Sequence, residues 1–318
     1  MLKGGKKVID KIKSVMLGHA IGDALGVPVE FCARESLEKR PVTKMVGFGT
    51  YNVPAGTWSD DTSMSLCALE SLGKGVVKYD DIMENFCKWY YHNEFTATGI
   101  MFDVGNTCAN AIENYFDLGR APLKCGSISV NSNGNGSLMR IHPFVLYAYS
   151  KGIVGSDLID VIRNASSLTH GHIISIDACI IYSCILTQLL KNPDKDSIYN
   201  GLYRAERSIS YASKTCYARL FSEDFAITAK SEIKSSGYVV ASLEAAIWCL
   251  LTTDNYTDCV LKAVNLGGDT DTIAAIAGGL AGALYGIDSI PAEWLKTLKN
   301  KNYIDDLCES AYKKWSEK

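Results

Sequence analysis

The chain has 318 residues, 47% of them hydrophobic and 21% charged, with a formal charge of −3 at pH 7. That composition fits a globular protein with a sizeable core, built as one large domain or two average ones. The slight negative balance offers no general attraction for nucleic acid or an anionic membrane, which leaves a small ligand or a protein partner. Eleven cysteines are an odd count, scattered without any C-x-x-C pair, and Cys67, Cys179, Cys184 and Cys249 lie inside apolar stretches. The pattern predicts reduced, buried thiols in a cytoplasmic protein rather than a disulfide framework. The basic start, Met1 to Lys13, runs into mixed polarity, so no signal peptide is expected.

Helical periodicity dominates. Val8, Ile9, Ile12, Val15 and Met16 fall on one face of a first helix. Further helices are predicted near 62–73, 80–91, 104–118, 137–150, 154–168, 172–191, 195–213, 237–252, 255–265, 270–286 and 291–315. Alternating patterns are scarce, and Lys44–Phe48 is the best strand candidate. Segments 47–58 and 126–137, with their Gly and Asn residues, read as loops of the kind that carry sites. His172–Leu190 is the most apolar stretch, but Asp177, Gln188 and several hydroxyls argue for a central buried helix, not a membrane span. Ile273–Ile287, rich in Gly and Ala, reads as a helix packed closely by its neighbours. With no linker, charge block or internal repeat, the expectation is one all-α domain over 1–318.

Chemistry is signalled where carboxylates interrupt small or apolar sequence. This happens at Gly22-Asp23-Ala24-Leu25-Gly26 with Glu30 following, at Trp58-Ser59-Asp60-Asp61-Thr62, and at Gly267-Gly268-Asp269-Thr270-Asp271-Thr272. Helix capping accounts for one Ser, Thr or Asp per helix start. It does not account for the surplus acids, and adjacent Asp60 and Asp61 repel each other. The hard-oxygen set Ser59, Asp60, Asp61, Asp269, Asp271 and Thr272 suits magnesium, with manganese as an alternative. Four carboxylates across two motifs are enough for two ions, which would clamp a hydroxyl-rich or anionic substrate and position a water. Zinc does not fit, because no His and Cys residues share ligand spacing.

Between the acidic motifs lies Asn131-Ser-Asn-Gly-Asn-Gly-Ser137, followed by Leu138, Met139 and Arg140 entering a helix. Gly134 and Gly136 permit close backbone approach, and a following helix N-terminus would offer free N–H groups to a diphosphate. Taken alone the segment reads as a plain Asn-Gly turn. His170 precedes the buried helix, where a satisfied structural role and a substrate contact both fit. Asp103, in Phe102-Asp103-Val104-Gly105-Asn106-Thr107, reads by spacing alone as a helix cap.

These motifs, in this order from about residue 8 to about residue 290, resemble the ADP-ribosylglycohydrolase family. The resemblance implies an orthogonal all-α bundle with a binuclear magnesium or manganese centre held by Ser59, Asp60, Asp61, Asp269, Asp271 and Thr272. It implies that Glu30 stands near the metals and the scissile bond. It also implies that Asn135, with Gly134, Gly136 and Ser137, holds ADP-ribose, and that His170 lies beside the ligand. Asp103-Val-Gly-Asn106 resembles a stretch of the arginine-directed branch, in which the Asp assists the leaving group. The function so implied is hydrolysis of the bond between ADP-ribose and a modified side chain, most readily arginine. Asp103, Glu30 and Asp60 are the catalytic candidates, and Asn106 is a further substrate contact. The partners expected are an ADP-ribosylated protein and ADP-ribose, with no nucleic acid or membrane, and the protein itself is expected to be a monomer. Other linkages, serine or O-acetyl-ADP-ribose, and a non-catalytic crystallin-like member are the alternatives. An all-α prenyl-diphosphate enzyme would need D-D-x-x-D, and Asp60-Asp61 is followed by Thr62, Ser63 and Met64.

Overall fold

Helix follows the apolar periodicity almost throughout. The computed structural model describes the backbone of residues 2–317 and the side chains of residues 8–317. In chain order the helices are α1 (Leu2–Gly26), α2 (Arg34–Lys39), α3 (Asp60–Leu72), α4 (Tyr79–His92), α5 (Asn106–Phe116), α6 (His142–Lys151), α7 (Ser156–Ser167), α8 (Ile173–Lys191), α9 (Lys195–Ser208), α10 (Tyr211–Lys214), α11 (Val239–Leu251), α12 (Tyr256–Val264), α13 (Thr270–Tyr285), α14 (Ala292–Thr297) and α15 (Lys301–Trp315). Among the described residues no strand ladder forms, and pairing is confined to isolated bridges at Ser127–His170 and Gly134–Tyr238. One contiguous apolar core draws on residues from Ile12 in α1 to Trp315 in α15.

The centre of the molecule is the antiparallel pair α1 and α13. A Cβ added to Gly22 would lie 2.0 Å from the Ala274 carbonyl oxygen, one on Gly18 2.5 Å from that of Gly278, and one on Gly282 2.0 Å from that of Ser14. Backbone therefore touches backbone along the seam, and the close packing expected for Ile273–Ile287 is found on this face. Gly26, at the end of α1, lies against the start of α13, where its Cβ would meet the Asp271 Cα at 2.3 Å. The apolar helix α8 is long enough to cross a membrane but lies mostly inside the core, packed by α7, α9, α11 and α13.

Several expected boundaries move. Lys44–Phe48 forms no strand; Phe48, at φ 60°, instead closes a turn by donating its amide to the Val53 carbonyl at 2.7 Å. The helix expected from 137 starts at His142, with Pro143 in its first turn. A helix begun at 137 would place Pro143 in its interior, where the ring removes a hydrogen bond and clashes with the preceding turn. The predicted 195–213 helix breaks after Ser208, where the Ser210 amide donates to Asp177 Oδ2 at 2.9 Å. The predicted 291–315 helix breaks before Asn300, which is left-handed at φ 51°. That break has a use: the Lys299 carbonyl accepts from Trp58 Nε1 at 2.9 Å and fixes the loop leading into Ser59.

The seam can be tested by adding one methyl group. Gly22→Ala cannot be relieved by rotating a side chain, because its obstacle is a main-chain carbonyl. Overpacking of this kind costs about 1–3 kcal/mol or more, and a chain of this size should lose roughly 5 °C or more in Tm. A thermal melt of Gly22→Ala matching the parent would mean that the helices slide apart freely.

Candidate active site

The acidic motifs meet because the ends of α1 and α13 are tied together. The Phe31 amide donates to the Gly268 carbonyl at 2.7 Å, and the Gly268 amide returns the bond to Cys32 at 2.9 Å. This pair sets Glu30 beside Asp269. Arg34 secures the same junction by donating to the carbonyls of Leu266, Lys230 and Ile233. Gly267 and Gly268, both at positive φ, turn the chain into α13, and a Cβ on Gly268 would meet the Ser235 carbonyl oxygen at 2.0 Å.

Asp23 attaches the third element. Its Oδ1 accepts from the Ser59 amide at 2.9 Å, and its Oδ2 accepts from the Thr62 amide at 3.0 Å and the Thr62 hydroxyl at 2.6 Å. A carboxylate on α1 thus satisfies free N–H groups at the start of α3, where the helix dipole favours negative charge. Ser59 sits in the N-cap position and donates to Asp61 Oδ2 at 3.3 Å. Asp61 Oδ2 also accepts from Thr272 Oγ1 at 3.2 Å, linking α3 to α13.

A cavity of about 370 Å³ opens onto this junction. Of the residues singled out in the sequence, Glu30, Asp60, Asp103, Asn106, Gly134, Asn135, Gly136, His170, Asp269 and Thr272 line it. Ser59, Asp61 and Asp271 are buried behind its wall, each about 1% exposed. Ser137 turns into the core instead: its hydroxyl accepts from Ser166 at 2.9 Å and touches the Cys179 sulfur. The side-chain contact to substrate expected of Ser137 is therefore not available. A larger cavity of about 490 Å³, beside Tyr199, Tyr203 and Phe221, holds none of these residues.

Two further readings are corrected. Asp103 is not a cap: α5 begins at Asn106 after Gly105, with no side-chain cap bond, and Asp103 sits left-handed at φ 53°. Oxygens of Glu30, Asp103 and Asp271 lie within 4.8 Å of one another. Asp103, read from the resemblance only as an aid to the leaving group, is thus part of the acidic cluster itself. Nor does Asp269 cap α13 with its side chain. Its Oδ2 accepts from Asn135 Nδ2 at 2.7 Å, and the same nitrogen donates to Ser242 Oγ at 2.9 Å. The Asn135 amide nitrogen is committed inside the protein, so what this side chain can offer a ligand is its carbonyl oxygen.

Among the described residues no Lys or Arg side chain lines the cavity, and the acids carry the consequence. Burial, then the charge of Asp103, pushes the Glu30 carboxyl up to about 9. Burial and neighbouring carboxylates hold Asp60, Asp61 and Asp271 well above the usual carboxylate range. Burial also raises Asp23, to about 6, although its hydrogen bonds pull the other way. Three buried oxygens, Glu30 Oε2, Asp61 Oδ1 and Asp271 Oδ2, have no hydrogen-bond partner. Unpartnered carboxylate oxygens in a hard-oxygen cluster without a protein cation fit a divalent metal.

Sequence reasoning missed two participants. The Tyr51 hydroxyl lies beside both the Glu30 and Asp103 carboxyls, and its ring packs 5.0 Å from that of Phe102. Thr169 accepts from Arg140 and stands 2.9 Å from His170 Nδ1. Neither carries a spacing signal; Tyr51 sits in a loop that was read as site-bearing without a residue being chosen.

Comparison with known proteins matches the chain along almost its whole length. Residues 5–318 match the model of the ADP-ribosylglycohydrolase family. The chain is 35% identical over 311 residues to ADP-ribosylarginine hydrolase Tri1 of Serratia proteamaculans, covering 96% of this chain and 79% of that protein. It is 32% identical over 305 residues to the ADP-ribosyl-[dinitrogen reductase] glycohydrolase of Rhodospirillum rubrum, covering 93% of each. A solved structure described as an ADP-ribosylglycohydrolase-related protein complex superposes with a TM-score of 0.82 at 31% identity, over 97% of this chain and 99% of that one. An all-α scaffold that gathers paired acidic motifs over one cleft, matched along its whole length, makes this chain a member of the ADP-ribosylglycohydrolase family.

Proposed function

We propose that this protein hydrolyses the N-glycosidic bond between ADP-ribose and an arginine side chain of a modified protein, using magnesium or manganese held at the acidic centre. The observation that carries the reading is the joint placement of the Glu30, Asp103 and Asp271 carboxyls beside a cavity walled by Gly134 and Gly136. The arginine assignment is supported by Asp103-Val104-Gly105-Asn106 and by the relatives named as ADP-ribosylarginine hydrolases. Ser59, Asp60, Asp61, Asp269, Asp271 and Thr272 are the ligand set for two ions, and Glu30 and Asp103 stand next to them. A divalent pair bound there would supply Lewis acidity towards substrate hydroxyls and water. Nine of the eleven thiols are buried, which suits the reducing cytoplasm in which we place the protein, acting as a monomer on protein-linked ADP-ribose.

The chain's own acids handle the protons. Guanidine leaves poorly as an anion, so the departing nitrogen must gain a proton as its bond to the anomeric carbon breaks. The attacking water must lose one as its oxygen bonds to that carbon. Two carboxyls, those of Glu30 and Asp103, stand within 4.8 Å of each other, and burial pushes that of Glu30 up to about 9. One delivers a proton to the nitrogen while the other accepts one from water. Asn106, exposed at the start of α5, and His170 flank the ligand, and the glycines let the main chain approach it.

Metal dependence is checked by chelation. EDTA should abolish release of ADP-ribose from ADP-ribosyl-arginine, and magnesium or manganese should restore it; full activity in chelator with no metal by elemental analysis would sink the metal reading.

The role of Asp103 is separable from binding. Asp103→Asn keeps shape and should bind free ADP-ribose nearly as well as the parent in titration calorimetry, yet lose about a hundredfold or more in single-turnover rate. Weakened binding with unchanged turnover would make Asp103 a ligand-positioning residue. If neither changes, the arginine assignment loses its main structural support.

The acids also dictate how stability varies with pH. Glu30 and Asp23 titrate higher in the folded protein than the ordinary carboxyl range near 4, at about 9 and about 6. The metal-free fold therefore holds more protons than the unfolded chain, and its stability falls as pH rises through that window. In EDTA the Tm should drop by several degrees between pH 5 and pH 8.5, and magnesium should remove most of the drop. Asp271→Asn, which deletes one buried charge, should melt no lower than the parent in EDTA at pH 8.5 while losing most activity. A clear destabilisation would assign Asp271 to capping.

A further inference from the structure

Arg140 is completely buried, and among the described residues no carboxylate pairs with it. Its Nη2 donates to Thr169 Oγ1 at 2.7 Å and to the Ala165 carbonyl at 3.2 Å. Its guanidinium lies 4.9 Å above the Phe86 ring, and its Nε and Nη1 have no partner. A buried cation held so sparingly destabilises the fold, which raises the question of what it does. The answer lies two bonds away. Thr169 Oγ1 is also 2.9 Å from His170 Nδ1, and the His170 ring stands against the glycine loop of the cavity. A Cβ on Gly136 would meet its Cε1 at 3.0 Å, and one on Gly134 its Nε2 at 3.5 Å.

Acceptor strength decides between two arrangements, because the second lone pair of Thr169 Oγ1 could take a proton from Nδ1 if the hydroxyl turned to Cys108. Arginine only donates, so Thr169 Oγ1 must accept from Arg140. The hydroxyl retains one proton to give, and its neighbours are His170 Nδ1 and the Cys108 thiol. An imidazole nitrogen is a strong acceptor and a thiol sulfur a weak one, so the proton points at Nδ1. Nδ1 is then an acceptor, and the ring's own hydrogen must be on Nε2. Burial, followed by the charge of Arg140, lowers His170 to about 3, so the ring stays neutral.

We infer that Arg140 and Thr169 are positioning residues that lock His170 in the Nε2–H tautomer, so that it offers a fixed neutral donor to a phosphate or ribose oxygen at the glycine loop. The inference rests on the reading of this cavity as an ADP-ribose site. A neutral donor suits a centre of this kind: it binds an oxygen without neutralising the carboxylates near it, and its strength does not change across the working pH range. The same relay explains why an arginine, permanently charged and purely a donor, stands at position 140.

The test is a long-range ¹H–¹⁵N spectrum of the full chain labelled with ¹⁵N-histidine, in which His170 is assigned by its loss in His170→Gln. The expected pattern is an unprotonated Nδ1 and a protonated Nε2, unchanged from pH 6 to pH 8.5. Thr169→Val should mix the tautomers and weaken free ADP-ribose about tenfold, with Thr169→Ser restoring both. A parent spectrum showing Nδ1–H or imidazolium overturns the relay, as does a Thr169→Val protein that keeps the parent tautomer. If Thr169→Val does not fold, the parent and Thr169→Ser spectra still decide. An Nε2–H signal that free ADP-ribose leaves unmoved would keep the relay and overturn the assignment of the cavity.

Discussion

The acidic centre depends on two helices lying closer than side chains ordinarily allow. Packed helices usually keep their axes 8–10 Å apart, but Gly18, Gly22 and Gly26 on α1 bring its backbone against Ala274, Gly278 and Asp271 on α13. Each helical glycine costs about 1 kcal/mol relative to alanine. Along this seam the loss is offset by a core that packs α8, α11, α12 and α15 around the pair. The contact also fixes register, because sliding either helix by one residue would put a Cβ into a carbonyl. Register is what sets Asp271 opposite the end of α1, and it lets Asp23, one turn back, reach the amides of α3.

Once the helices are so placed, identical residue types meet different fates. Asp23 has both oxygens engaged by α3 and is a structural clamp. Asp269 is half engaged, by Asn135. Glu30, Asp61 and Asp271 each keep a buried oxygen without a partner. The fold spends hydrogen bonds on the acids that hold elements together and withholds them from those around the cavity. Withheld bonds at carboxyls that no cation among the described residues pairs with raise them towards protonation, and a cation is the other means of neutralising them. Asp103, left-handed and outside any helix, shows the same priority, since local strain is accepted to bring a further carboxyl to the cluster.

The sequence made the helices and the acids legible for different reasons. Apolar periodicity located most helices to within a few residues, because burial of one face is a local signal. It failed at Pro143, a local stop that delays α6, and where a distant group intervened: Asp177 intercepts the backbone at Ser210, and Trp58 claims the Lys299 carbonyl that would have continued a helix. The surplus-acid argument identified Asp60, Asp61, Asp269 and Asp271, since capping needs only one residue per helix start. It could not distinguish Asp23, whose partners lie 36 and 39 positions away. Nor could it turn Ser137 inward or bring Tyr51 to Glu30, because tight turns and loops carry no period from which a side-chain direction can be read.

Asn135 shows how the two halves of the cleft depend on each other. Its main-chain amide donates to the Gly237 carbonyl, the Val239 amide donates to the Asn133 carbonyl, and the Asp269 amide donates to the Ser235 carbonyl. The short segment 235–239 therefore holds the glycine loop on one side and the start of α13 on the other. The Asn135 side chain then closes the circuit directly, from that loop to the Asp269 carboxylate. A single carboxamide satisfies one oxygen of an acid in the cluster and at the same time positions the glycines that wall the cavity. Ligand loop and acidic centre are thus one hydrogen-bonded unit, so a disturbance at either is transmitted through defined bonds to the other. That rigidity is what a hydrolase needs in order to present one bond of a long substrate to two carboxyls within a few ångströms of each other.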